Sequence, residues 1–347
     1  MRLLKITQQK GYILALNIAV LAIMMVGATY MGQRMSLARN LALAEKQRIT
    51  GELAVVSARA RVMYLLSTVN RSRYGLGALP DRAVALDGRT YRIGTDVLVS
   101  LQDARGMISL NGSLLDTVGR VRLERLLATY NLEPTTIASL IDSVLDYRDT
   151  DDFRRINGAE KEEYAAAGKG GFIRNAELLA PTEIVRILGV SGRAELWGDD
   201  PLTNHVNTLR SSLFNPNSAG WRDLVAATGI TEEMAKSLVK TRRSGETPDI
   251  SNMVFTGAIN NPFEQNGGVS LFPSETIIVT LQYVGAPSGV RMSIKHTPAS
   301  PVSPWMIQYS YKVPLPRDTR PIDDIPELPD ASTLRDFAVP YQVQLPF

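Results

Sequence analysis

The densest chemistry in this sequence is a run of carboxylates. Asp142, Asp146, Asp149, Asp151, Asp152, Glu160, Glu162 and Glu163 fall within one short stretch. Counted from Asp149, acidic residues stand at the first, third and twelfth places, the spacing of a calcium loop. The fifth and sixth places are Phe153 and Arg154, where that loop needs an oxygen ligand and a glycine, so this is not an EF-hand. Two readings remain. Carboxylates so crowded repel one another, and a hard, oxygen-seeking cation would relieve them. Alternatively the stretch is a solvated helix end, with Arg148, Arg154, Arg155 and Lys161 as its counterions. On the first reading Asp149, Asp151, Asp152 and Glu160 are the candidate metal ligands, and backbone carbonyls around 156–158 take further places.

Other chemistry has less support. His205 and His296 are the two histidines, and neither stands in a metal spacing or near a nucleophile motif. The absence of cysteine excludes disulfides, thiol catalysis and cysteine-held zinc. The glycines at 168, 170 and 171 lack the spacing of a phosphate loop. Paired acids can do acid–base work, but clustering in sequence defines no cleft. The chain therefore reads as non-enzymatic. One further motif surrounds Gly229 and Ile230. Leu224, Ala235, Leu238 and Arg242 fill the places of a helix-hairpin-helix, with Lys236, Lys240 and Arg243 nearby. That motif grips DNA phosphates elsewhere. Here Glu232, Glu233 and Glu246 dilute its charge and favour a packing hairpin. DNA is accordingly disfavoured as a partner. A net charge of +3 does not by itself point to nucleic acid.

These groups need elements to hold them. A hydrophobic content of 44% is enough for packed cores, and the length suggests about two domains. Turn residues Gly75, Gly77, Pro80 and Gly88 open a strand region, with strands predicted over 90–93, 97–102 and 107–110. Asp103 to Gly106 reads as a hairpin turn between the last two. From Asp116 the period becomes helical. Pro134 opens a helix bearing Ile137, Leu140, Ile141, Val144 and Leu145. Short helices are predicted over 160–167 and from Pro181 to Gly189, and a helix pair over 221–228 and 231–243. Strands return over 276–284, 290–296 and 305–313. The end carries many prolines and reads as an extended or disordered tail. A helical insertion within one antiparallel sheet explains this order with one sheet instead of two.

The N-terminal region is the most diagnostic. A short basic leader ends at Gly11, and an apolar run from Tyr12 to Tyr30 is broken by Asn17, Gly27 and Thr29 alone. About 20 apolar residues suffice to span a bilayer. No proline occurs before Pro80, so the helix continues beyond the membrane. Leu37, Leu41, Ala44, Ile49, Leu53, Val56, Ala60 and Met63 mark one face of it. An uncleaved signal anchor, or a secretory signal peptide, is the plainer reading of the same residues. A helix that crosses the membrane and runs on as a stalk is the shape of a pilin-like subunit.

With these pieces the sequence resembles the protein K minor pseudopilins of type II secretion systems. The matching stretches are 101–111, from Leu101 through Asp103, Gly106 and Asn111; 145–152, where Tyr147 takes the usual tryptophan place; Gly158, Ala159 and Glu160 with Tyr164; 175–178; and Val206, Asn207 and Thr208. Leu16 stands where most pseudopilins carry glutamate, a departure typical of the K subtype.

The resemblance implies an α+β fold: a long N-terminal transmembrane and stalk helix packed on an antiparallel pilin-like sheet with a large all-α insertion. It implies a prepilin leader over 1–11, a transmembrane segment over 12–32 and a stalk over 33–70. The sheet follows over 71–112 and 251–315, around an inserted helical domain over 113–250 with modules 113–200 and 201–250. Residues 316–347 form the proline-rich tail. Cleavage is expected between Gly11 and Tyr12 by a prepilin peptidase, with methylation of the new terminus. The implied role is a subunit at the pseudopilus tip that starts and limits assembly for protein export. Implied partners are other minor pseudopilins, the major pseudopilin and the inner-membrane assembly platform. The implied place is the inner membrane, single-pass, with the folded part in the periplasm. Calcium binders occur in the family, which strengthens the cation reading of the acidic stretch. The alternative function is a DNA-binding tip subunit of a pilus-like uptake machine.

Overall fold

The computed structural model describes residues 12–112, 117–171, 173–244, 268–286, 288–314 and 321–334. The leader, with Gly11, and the last residues of the tail lie outside these. The chain divides into two compact units, Met1–Ala54 and Val55–Phe347.

Helix α1 spans Tyr12–Thr68. Within the first unit its apolar run is long enough to cross a membrane, and its side chains are exposed. Near its end, polar side chains find partners within the helix, as a bilayer favours. Thr29 donates to the Met25 carbonyl at 2.8 Å, and the Arg34 guanidinium lies 5.3 Å from the Tyr30 ring centre. An aromatic and a basic residue paired in this way suit a membrane–water boundary. Further on, Arg48 bridges Glu45 and Glu52, both at 2.6 Å. All three are exposed, so the pairs add little stability.

In the second unit the last turns of α1 bury Ala58, Val62, Leu65 and Leu66. Their spacing of three and four puts them on one helical face. After the short strands β1 (Arg71–Ser72) and β2 (Gly75–Leu76) come β3 (Asp87–Ile93) and β4 (Val97–Asp103). The late strands are β7 (Thr276–Tyr283), β8 (Ser288–His296) and β9 (Trp305–Pro314). They form one antiparallel sheet in the order β3-β4-β7-β8-β9. β7 is central and reads Thr-Ile-Ile-Val-Thr-Leu, buried throughout, as a strand covered on both faces should. β9 is an edge, and its side chains alternate between half-buried and exposed. The opposite edge, β3, is met by the tail. Arg92 donates its backbone N–H to Pro326 and accepts from Leu328. Ile325, Leu328, Ala331 and Leu334 are buried there. Over residues 321–334 the tail is thus docked rather than disordered.

β4 and β7 are sheet neighbours, with Asp103 opposite Ile277. Everything between them is an insertion, as the element order implied. The turn over Asp103 to Gly106 is different from the expected hairpin. It is a 3₁₀ turn, Ala104–Gly106, that leads the chain out of the sheet. The cause is the Asp103 side chain, which is fully buried and engaged in five contacts. It accepts from the Arg105 N–H, the Ser274 N–H and hydroxyl, the Asn215 amide and the Ser218 hydroxyl. The true hairpin is β3–β4, closed by Gly94 at a φ of 61°. β5 (Ile108–Ser109) instead pairs in parallel with β6 (Val206–Asn207), inside the insertion.

The insertion holds α2 (Thr117–Ala128), α3 (Pro134–Arg148), α4 (Lys161–Ala166), α5 (Trp221–Thr228) and α6 (Glu232–Arg243). Pro134 opens α3 as predicted. Gly229, at a φ of 75°, ends α5, and the Thr231 hydroxyl caps α6. The helix expected from Pro181 is a 3₁₀ segment, Pro181–Arg186. Both halves of the insertion share one core, which includes Leu126, Ile141, Tyr147 and Tyr164 from the first half and Leu224 and Ala235 from the second.

Candidate metal centre

The acidic stretch lies on the last turns of α3, the loop after it and the start of α4. The two carboxylates inside α3 fix that loop. Asp142 accepts from Asn157, through N–H at 3.3 Å and side-chain amide at 3.2 Å, and pairs with Arg120 at 3.1 Å. Asp146 is fully buried and accepts from the Arg155 N–H at 3.2 Å and its guanidinium at 2.6 Å. Gly158 lets the loop close over it. A Cβ at that position would sit 1.9 Å from Asp146 Oδ2.

The four predicted ligands fare differently. Asp149 gives Oδ2 to Arg155, while its buried Oδ1 has no partner. Burial raises its pKa, and Arg155 opposes that rise. Asp151 Oδ1 accepts from the Phe153 N–H at 2.9 Å, a local turn. Asp152 is exposed and pairs with Lys161 at 2.7 Å. Glu160 precedes α4, and its N–H is capped by Glu163 at 2.9 Å. Its side chain is 4% exposed, and both carboxylate oxygens lack a partner. Burial pushes it up to about 7, and the charges of Asp146, Asp149, Asp152 and Asp151 push the same way.

A fifth residue belongs here. Asn175, held at a φ of 49°, donates to the Asp151 carbonyl at 2.8 Å and to Asp152 at 2.9 Å. Its buried Oδ1 is unpartnered. The position falls in a stretch that carried the family resemblance, but its role as a neighbour of the acidic loop was not read. Its signal was weak, since asparagine is common in loops.

Buried acceptors without donors are costly, and charged ones more so. Unpaired oxygens on Glu160, Asp149 and Asn175 are the kind of acceptor a hard cation takes. Among the described residues, no three acidic or histidine side chains converge closely enough to hold an ion as they stand. Arg155 and Lys161 meanwhile neutralise Asp149 and Asp152. The loop thus combines ion pairs around its rim with an uncompensated carboxylate at its centre.

Two basic residues of the helix-hairpin-helix have partners within the fold. Arg242 is half-buried and pairs with Asp87 of β3 at 3.2 Å. Lys236 pairs with Glu232 and lies 4.7 Å from the Trp221 ring centre.

Comparison with known proteins bears out the resemblance read from the sequence. Residues 100–194 match the family model described as type II secretion system protein K. The matched stretch covers the acidic loop and all five residues described above. Among solved structures, a chain of the GspK–GspI–GspJ complex from the enterotoxigenic Escherichia coli type 2 secretion system is similar. It shares the fold at a TM-score of 0.54 and 14% identity, over 81% of this chain and 99% of that one. No curated protein matches by sequence.

Proposed function

We propose, from the protein K module at residues 100–194, that this chain is a minor pseudopilin of a type II protein secretion system. The family match carries the reading. The apolar N-terminal helix supports it, because a single-pass anchor is what a pseudopilin needs before extraction into a filament. The chain's work is structural rather than catalytic. It stands at the pseudopilus tip, where it initiates and limits assembly for export across the outer membrane. The similar solved chain was determined as GspK with GspI and GspJ. Other minor pseudopilins are accordingly the expected partners here, followed by the major pseudopilin and the inner-membrane assembly platform. A prepilin peptidase cuts between Gly11 and Tyr12, and the folded part stands in the periplasm.

Leu16 supports the tip position. A carboxylate within the bilayer is costly unless paired. A subunit without one at this place needs no partner above itself. The DNA-binding alternative loses support from the pairing of Arg242 with Asp87 and of Lys236 with Glu232.

The acidic loop binds Ca²⁺ through Asp149, Asp151, Asp152 and Glu160, joined by Asn175. The ion supplies the positive charge that Glu160 lacks and pins the α3–α4 loop.

The deciding experiment is purification of the membrane complex from cells that make the tagged full chain. Other minor pseudopilins should co-purify, and mass mapping should place the mature terminus at Tyr12. Assembled protein that keeps residues Met1 to Gly11 defeats the reading.

A further inference from the structure

His205 is 6% exposed and sits between two carboxylates. Its Nδ1 lies 3.0 Å from Asp223 Oδ2, and its Nε2 lies 2.9 Å from Asp200 Oδ1. The Nε2 contact is a close ion pair but is off-axis for a hydrogen bond. A neutral imidazole carries one N–H and one lone pair. Either neutral tautomer would therefore turn a lone pair towards a carboxylate. The imidazolium alone suits both sides.

The surroundings agree in charge. From α5, Arg222 pairs with Asp200 Oδ2 at 3.2 Å, and the Gly220 N–H donates to Asp223. After α2, Tyr130 donates its hydroxyl to the Asp200 carbonyl at 3.1 Å and stands edge-on to the His205 ring. On the His205 segment itself, Asn204 donates to Asp200 Oδ1 at 3.2 Å. From β8, Arg291 donates to Asn204 Oδ1 at 2.6 Å. Lys236 of α6 is turned to Trp221. Two carboxylates then face one guanidinium and one imidazole. The group is neutral with His205 charged and carries a net negative charge without its proton.

We propose that protonated His205 is a clasp that holds the start of α5 to the segment 200–205, and that loss of its proton at alkaline pH opens this seam. The seam matters because it ties the second half of the insertion to β5 and to the sheet. The His205 carbonyl accepts from Ile108 of β5 at 2.8 Å, and Asn204 reaches the sheet through Arg291. Burial lowers the imidazole's affinity for its proton, but the two carboxylates outweigh it and raise the group to about 9. A histidine raised on folding contributes stability that is fully present below its ordinary value of 6.5 and is lost as pH rises through about 9.

The chain's two histidines make the test simple. His296 serves as an internal control, because burial and nearby Arg71 lower its pKa. Full-length protein in detergent, labelled at histidine, is titrated by ring NMR. His205 should keep its cationic signature above pH 8, while His296 titrates below 6.5. Melting should drop between pH 7 and 9.5, and hydrogen exchange at α5 amides should rise first. His205→Gln should remove that alkaline slope. If this variant does not fold, Asp200→Asn should lower the His205 titration midpoint by at least one pH unit. A neutral His205 ring at pH 7, an alkaline slope that persists in His205→Gln, or an unmoved midpoint in Asp200→Asn overturns the proposal.

Discussion

Two buried polar centres, one where the sheet meets the insertion and one inside the insertion, are built in opposite ways. Around Asp103, one carboxylate meets donors from Arg105, Asn215, Ser218 and Ser274. Around Glu160, one carboxylate meets no donor and feels four other acids. Both are closed off from water. Low polarity strengthens satisfied contacts and penalises unsatisfied ones. The first centre can hold the insertion in place without help. The second leaves its carboxylate without a donor. The difference separates a satisfied structural joint from an unsatisfied one, although each is simply an aspartate or a glutamate in the sequence.

The largest expected effect comes from the satisfied centre. Asp103→Ala strands several buried donors at once. It should cost roughly 3–5 kcal/mol, as removal of one partner from a buried charged network does. Urea denaturation of the full chain in detergent measures this. A loss below about 1 kcal/mol would show that the joint is redundant.

Calcium comes next. An ion that binds only the folded state stabilises it by about 2.7 kcal/mol at a hundredfold excess over its dissociation constant. The chain should melt higher in calcium than in chelator. The gain should shrink in Asp149→Ala and in Glu160→Gln, and stay intact in Asp81→Ala, far along the chain. Equal melting curves across a millimolar calcium range would leave the loop a set of rim ion pairs.

Gly158→Ala tests the frame of the same site. Its Cβ meets the Asp146 carboxylate, which Arg155 holds in place. A cost of about 1–3 kcal/mol is expected, as for overpacking elsewhere. A neutral result would mean that the loop has room to shift.

The last effect is a slope with pH. Glu160 is raised from 4.5 to about 7 in the folded chain. The folded state then holds a proton that the unfolded state has released. Stability in chelator should therefore fall as pH rises from about 4.5 to 7. Calcium should reverse that trend, because it needs the ionised form. Glu160→Gln should flatten the contribution, as seen in melting curves at pH 5, 6 and 7. A wild-type slope unchanged by this substitution assigns the effect elsewhere.

Much of the fold was legible because local signals agreed. Thr231, Gly229 and the apolar spacing around them define α5 and α6 almost to the residue. β7 was legible from its run of β-branched residues. Asp103 to Gly106 was misread because the residues of a tight hairpin and of a capped 3₁₀ turn are the same types. What decides between them is Ser274 and Asn215, more than a hundred positions away. The acidic loop was legible as a segment but not as a site. Composition shows eight carboxylates and cannot say which one is buried without a donor. Nor could it show that Asp142 and Asp146 hold the loop, or that Asn175 approaches it. The tail's prolines suggested disorder, yet Ile325 and Leu328 supply enough apolar surface to dock it along β3.

The adjacency of β4 and β7 also bears on how the chain folds. The sheet's central pairing cannot form until the entire insertion has been synthesised and its ends brought together. Closing so long a loop costs little in equilibrium terms, because the entropic penalty grows only logarithmically with length. Its effect on rate is larger, since pairings distant in sequence slow the search. A helical insertion that gathers its own core first would bring Asp103 and Ser274 side by side and shorten that search. The insertion should thus act as the template on which the sheet assembles, and damage to its core should delay the strands that flank it.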